Sequence, residues 1–214
     1  MRELMCLLVG FGLMATRLCG ADSSPVYTND FEKAKAGAVP DDMMVLDGGF
    51  AVAEASGNKV LELPGAPLDT FGVLFGPAET AGLDVQARVF GTKNGRRFPV
   101  IAVGLNGVAG YRLRLAPAKK ALELFKGDEA IATAPFTWES GSWTMLRLQS
   151  AKTASGEINV RGKAWKVGEK EPGDWMIQHT DAKAAPAGRP SLWGIPYADT
   201  PIRFDELKVT PVVP

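Results

Sequence analysis

Tyr111-Arg112-Leu113-Arg114-Leu115, a loop from Ala116 to Ala121, and Leu122-Glu123-Leu124-Phe125-Lys126 make two runs in which apolar and polar residues alternate. A period of two sends successive side chains to opposite faces of a strand. Setting Leu115 against Leu122 also sets Leu113 against Leu124 and Arg114 against Glu123. One antiparallel register therefore yields two apolar pairs and an ion pair. The segment is read as a hairpin with one face in a core and one in water, the habit of antiparallel sheets packed on each other.

The same period runs outward in both directions. Leu83, Val85, Ala87 and Val89 alternate with Asp84, Gln86 and Arg88; Leu146 and Leu148 alternate with Met145, Arg147 and Gln149; Ile158 and Val160 alternate with Asn159 and Arg161. Val26 to Glu32 reads as a first strand, followed by a loop rich in Gly, Pro and Asp. Asn106-Gly107 looks like a two-residue turn, but a strict two-residue turn places Ile101 opposite Arg112, so a longer loop or a bulge is required there. Ile202 and Phe204 share one parity while Leu207 and Val209 share the other, which predicts a β-bulge at Asp205-Glu206. No segment carries three helical turns of apolar spacing free of Gly and Pro. The fold class expected is all-β, a two-sheet antiparallel β-sandwich forming one domain over residues 22–214.

Arg2, the apolar run from Leu4 to Ala15 and the small residues of Cys19-Gly20-Ala21 predict a signal peptide over residues 1–21, cut after Ala21. Lipidation at Cys19 is the alternative, with Arg17 and Leu18 standing where small residues would be expected. The chain is thus expected to be secreted or periplasmic, with no membrane span, because no later apolar run approaches roughly 18 residues. Both cysteines, Cys6 and Cys19, fall in the expected leader, so the mature chain is expected to lack disulfides and to rely on its core. Removing the leader leaves 22 basic and 23 acidic residues. Such a balance gives no nucleic-acid footprint. A monomer is expected.

Four patterns occur in an informative order: Asn29-Asp30-Phe31-Glu32; Trp138 and Trp143 around Gly141; Ala164-Trp165 through a charged turn to Asp174-Trp175; and Ile202-Arg203-Phe204-Asp205-Glu206-Leu207-Lys208-Val209. Together they resemble the concanavalin A-like (laminin G-like) lectin and glucanase domains exported by bacteria. The resemblance implies a jelly roll whose first and last strands are neighbours, and a role in binding or processing carbohydrate. It names no ligand, since this fold hosts lectins, hydrolases, lyases and structural modules.

Glycoside hydrolysis needs two carboxyl groups set roughly 5 to 9.5 Å apart. The chain has no Glu-x-Asp-x-x-Glu strand, and the closely spaced Glu169 and Glu171 lie in a turn before Pro172. One histidine, His179, offers no triad or zinc set. Sugar binding asks for aromatic faces and forked donors. Trp165, Trp175, Trp193 and Tyr197 lie in or beside predicted loops, and Arg112, Arg114, Arg147 and Arg161 fall on the wet sides of their strands. If those strands share a sheet, its outer face is a basic patch rimmed by tryptophans, suited to an anionic glycan. Core capping by the tryptophans and cross-strand ion pairing by the arginines are the competing readings. Structural calcium is the cofactor considered, with Asp30 and Asp205 as metal ligands if the first and last strands meet. The function expected is a non-catalytic carbohydrate-binding or cell-surface lectin-like module; a carbohydrate-active enzyme and a purely structural module are the alternatives.

Overall fold

A computed structural model of the chain describes residues 24–65 and 69–212; the expected signal peptide and both cysteines lie outside the described residues. The strands in chain order are β1 (Tyr27–Asn29), β2 (Met44–Asp47), β3 (Ala51–Ala55), β4 (Asn58–Leu63), β5 (Phe71–Leu74), β6 (Leu83–Phe90), β7 (Val100–Leu105), β8 (Tyr111–Ala116), β9 (Ala121–Lys126), β10 (Glu129–Pro135), β11 (Thr144–Lys152), β12 (Ile158–Lys166), β13 (Ile177–Asp181), β14 (Ser191–Ile195) and β15 (Ile202–Pro211). Among the described residues the one helical element is a 3₁₀ turn at Pro117–Lys119. An eight-stranded sheet runs β13-β12-β11-β6-β15-β4-β3, with β1 beside β15, and a seven-stranded sheet runs β10-β9-β8-β7-β14-β5-β2. Every named strand pair is antiparallel. The first and last strands are neighbours, as the jelly-roll resemblance implies.

The inward parities meet in one apolar layer. Val85, Ala87 and Val89 of β6, Leu146 and Leu148 of β11, and Val160 of β12 face Val103, Leu113, Leu115, Leu122 and Leu124 from the other sheet, all fully buried. Burial of this kind is the main favourable contribution to folding. Glycine sets the approach of the sheets where the partner side chain is large. A Cβ on Gly162 of β12 would stand 2.6 Å from Leu113 Cδ1, and one on Gly194 of β14 would stand 2.5 Å from Leu63 Cδ2. At one edge Asp181 of β13 accepts a 2.8 Å hydrogen bond from the Tyr111 hydroxyl and an ion pair from Lys126, clasping the two sheets together.

The central hairpin has the expected register, with Leu115 opposite Leu122, Leu113 opposite Leu124 and Arg114 opposite Glu123. The pairing of β15 with β6 shifts between Asp205 and Lys208 around Glu206 at φ 48°, the bulge that the parity switch requires. Two expectations are corrected. The β7–β8 connection spans residues 106–110, which sets Ile101 against Leu115 rather than Arg112. Asn106 does not close a two-residue turn because its side-chain amide donates to the carbonyls of Glu79 (2.7 Å) and Thr80 (2.9 Å), holding a neighbouring loop. The first strand ends at Asn29 instead of reaching Glu32. Asn29 Oδ1 accepts the Phe31 amide at 2.9 Å, and Phe31 takes φ 59° and drops its ring into the core.

Candidate functional site

Across the outer face of the seven-stranded sheet the registers line up Gly72, Trp193, Ala102, Arg114 and Glu123 in one row. Trp193 thus sits between two small residues, and its indole lies across Gly72, where a Cβ would stand 2.6 Å from Cζ3. The indole N–H donates to Ser191 Oγ at 2.8 Å. In the next row Arg112 stacks with its Cζ 5.0 Å from the Trp193 ring and donates to the Gly127 carbonyl and, at 2.9 Å, to Asp128. Arg114 stacks 4.9 Å from Phe125 and lies 3.1 Å from Glu123. Trp193, Arg112, Arg114, Phe125 and Asp128, with Thr70, Val100 and Ile195, line a hollow of about 170 Å³. A second hollow of about 560 Å³ shares Val100 and Arg114 with it and extends to Phe98, Arg96, Arg97, Lys119 and Tyr197. Tyr197 is 41% exposed. Aromatic surface beside forked donors and a carboxylate is the combination that grips a ring bearing both C–H faces and hydroxyls.

The outer face of the eight-stranded sheet is built differently. Asp84 of β6 is 2% exposed and accepts two bonds from Arg147 Nε, at 2.9 and 3.1 Å, and one from Gln149 at 2.8 Å. Gln149 in turn accepts from Arg161 Nε at 2.8 Å. The loop between β12 and β13 lies over this network. Its Glu171 pairs with Arg147 at 2.5 Å and Lys163 at 2.7 Å, and its Trp175 packs within 5.4 Å of Arg147 and 4.8 Å of both Arg161 and Lys163. Burial works against the Glu171 charge, but the hydrogen bonds from Lys163 and Arg147 outweigh it and hold the carboxyl below the usual range. Three cations beneath one indole leave little for a ligand to contact.

The eight residues singled out from the sequence therefore divide. Trp193, Tyr197, Arg112 and Arg114 come together on the seven-stranded sheet, while Arg147, Arg161, Trp165 and Trp175 belong to the outer side of the eight-stranded sheet. A single basic patch is corrected to two faces, because alternation tells inside from outside but not which sheet a strand joins. Trp165 lies one residue from the end of β12, beside the loop that follows, whereas Trp193 lies at the middle of β14. The sequence reading missed Phe125, Asp128, Arg96, Arg97 and Lys119 as part of this surface. Phe125 was accessible in principle, since the hairpin register sets it opposite Arg112.

Asp30 and Asp205 line one further hollow of about 530 Å³, with Glu32, Asn58, Arg88, Trp143 and Glu206. Asp30 Oδ1 accepts the Glu32 amide at 3.2 Å. Asp205 is 2% exposed; its oxygens accept from Asn58 Nδ2 at 2.8 Å and the Glu206 amide at 2.7 Å, and Arg88 stands 3.7 Å away. Burial pushes its carboxyl above the ordinary range despite these donors. Calcium asks for six to eight oxygens free to ligate. Here the inner carboxylate faces donors and a guanidinium, and among the described residues no three acidic, His or Cys side chains cluster to hold a metal. This arrangement does not fit calcium.

In sequence the chain matches no protein-family model and no curated protein. In structure it is similar to carbohydrate binding module CBM66 from Bacillus subtilis, at 12% identity and TM-score 0.57, over 79% of this chain and 95% of that one. It is similar to the metal-free Emp46p carbohydrate recognition domain, at 12% identity and TM-score 0.61, over 90% and 99%. It is also similar to the Crh5 transglycosylase, at 11% identity and TM-score 0.59, over 90% and 86%. These likenesses establish the jelly-roll sandwich. Among the described residues no helix is long and apolar enough to cross a membrane.

Proposed function

We propose that the chain is a secreted, non-catalytic carbohydrate-binding module of concanavalin A-like (laminin G-like) kind, holding an anionic glycan on the outer face of the seven-stranded sheet. The observation that carries this reading is the convergence of Trp193, Phe125, Arg112, Arg114 and Asp128 on one hollow that shares Val100 and Arg114 with a second. The presence of a carbohydrate binding module and a carbohydrate recognition domain among its structural neighbours supports it. The test is a glycan array with residues 22–214, run with and without calcium. Binding above background that is lost in the Arg112→Ala/Arg114→Ala variant and indifferent to calcium is expected. A blank array in both conditions overturns the proposal.

A carbohydrate-active enzyme is the second reading. One observation favours it: the buried Asp205 carboxyl, held toward its protonated form, shares the third hollow with Glu206 and the indole of Trp143. A general acid needs such a raised carboxyl. Release of reducing ends from a polysaccharide that stops in Asp205→Asn would establish this alternative, and its absence across a substrate panel would remove it.

A further inference from the structure

The two hollows that share Val100 and Arg114 differ in character. The smaller is lined by Trp193, Phe125, Arg112 and Asp128, so its ring surfaces and its acid and base suit a neutral polyol. The larger gathers Arg96, Arg97, Arg114 and Lys119 around Tyr197. Glu123, 4% exposed, is the one carboxylate shared by Arg114 (3.1 Å) and Lys119 (2.7 Å). Asp199 pairs with Arg97 at 2.8 Å, but both side chains are more than half exposed. An exposed pair of this kind is weak and yields readily to a competing anion. Among the described residues Arg96 has no carboxylate partner, though the whole chain carries 24 basic and 24 acidic residues. The cation excess is thus local placement rather than overall composition.

The arginines are also held in place. Asn94 and Arg97 exchange backbone hydrogen bonds of 3.0 and 2.9 Å around Gly95 at φ 57°, a tight turn that presents Arg96 and Arg97 together. Thr200 Oγ1 donates to the Thr92 carbonyl at 2.9 Å and ties this turn to the loop bearing Tyr197 and Asp199. Resting on the carbohydrate-binding reading, we infer that the larger hollow is an acid-group subsite. It takes the carboxylate or sulfate ester of one sugar unit against Arg96, Arg97 and Lys119, while the neighbouring unit lies in the hollow at Trp193. Bidentate guanidinium pairing serves either oxyanion.

The experiment compares polygalacturonate with its methyl-esterified form, and dextran sulfate with dextran, by affinity electrophoresis of residues 22–214 in EDTA, with a single-stranded DNA homopolymer as a further probe. At least one acidic polymer is expected to bind about tenfold more tightly than its neutral mate, and which one identifies the oxyanion. Arg96→Ala/Arg97→Ala should bring that ratio to within about threefold with the thermal midpoint little moved, since both residues are exposed. Lysine at both positions should restore part of the preference. A ratio near one in the native chain overturns the subsite and the anionic preference while leaving glycan binding itself standing, and a ratio the double variant leaves intact overturns the subsite alone. Tighter binding of DNA than of either acidic polysaccharide overturns it in favour of phosphate. Failure to bind any of the polysaccharides overturns both.

Discussion

The two outer faces of this sandwich carry the same residue types, arginine at alternate strand positions with tryptophan nearby, yet they do opposite things. On the eight-stranded sheet a loop brings its own carboxylate, Glu171, and its own indole, Trp175, to Arg147, Arg161 and Lys163, with Asp84 buried beneath. On the seven-stranded sheet no loop among the described residues lies over Arg112, Arg114 and Trp193 in this way, and a hollow remains. Arginine and tryptophan on a strand therefore do not make a site; on both faces they have partners within the chain, and what differs is whether a loop lies over them. The two faces should accordingly answer mutation in different currencies, stability for the closed one and binding for the open one.

The largest effect belongs to the closed face. Asp84→Ala leaves the buried Gln149 and the part-exposed Arg147 without their shared acceptor, and losing such a charged hydrogen-bonding partner costs about 3 kcal/mol. Urea unfolding should report that loss, while the folded fraction binds glycan as the native protein does. A loss below about 1 kcal/mol would mean the network is as forgiving as an exposed pair. On the open face Arg112→Ala/Arg114→Ala should weaken glycan binding by about 2 kcal/mol, roughly 30-fold, with a smaller change in stability. Calorimetric titration checks it, and a variant that unfolds before it stops binding would erase the contrast between the faces. Trp175→Ala should follow, at about 1–2 kcal/mol of stability from lost stacking over three cations, with glycan affinity unchanged. Reduced affinity in that variant would make the closed face part of the site.

Local patterns carried much of the architecture. The Leu113–Leu124 and Arg114–Glu123 pairs followed from alternation because a hairpin is a short-range object, and the bulge at Asp205-Glu206 followed from a parity that had to reset. The Asn106 loop did not, since its amide answers to Glu79 and Thr80, residues about 27 positions away. The site suffered most from this limit. Arg112 and Arg147 are both outward on their strands, but β8 and β11 enter different sheets through pairings that no local spacing encodes. Arg96 and Arg97 sit in a turn, where the period of two gives no direction at all.

Proton linkage gives the smallest effect and separates two carboxyls. Burial opposes the Asp181 charge, but Lys126 and Tyr111 outweigh it and hold this group below the usual range. Its contribution is complete above the unfolded carboxyl value of roughly 3.9 and is lost as pH falls through the lower folded value. Asp205 is raised, by burial first, so its charged form opposes folding above its folded value. Stability from this group therefore grows as pH falls from neutral through that value toward the unfolded one. The two slopes have opposite sign and should leave a shallow stability maximum in weak acid. Urea unfolding across pH should find that Asp205→Asn flattens the limb above the maximum and Asp181→Asn the limb below. If Asp205→Asn leaves the upper limb unchanged, the buried carboxyl is ionised without penalty and the third hollow loses its one distinguishing feature. If it flattens as expected, the closed sheet holds a buried carboxyl that takes up a proton as pH falls into weak acid, set by burial rather than by any ligand.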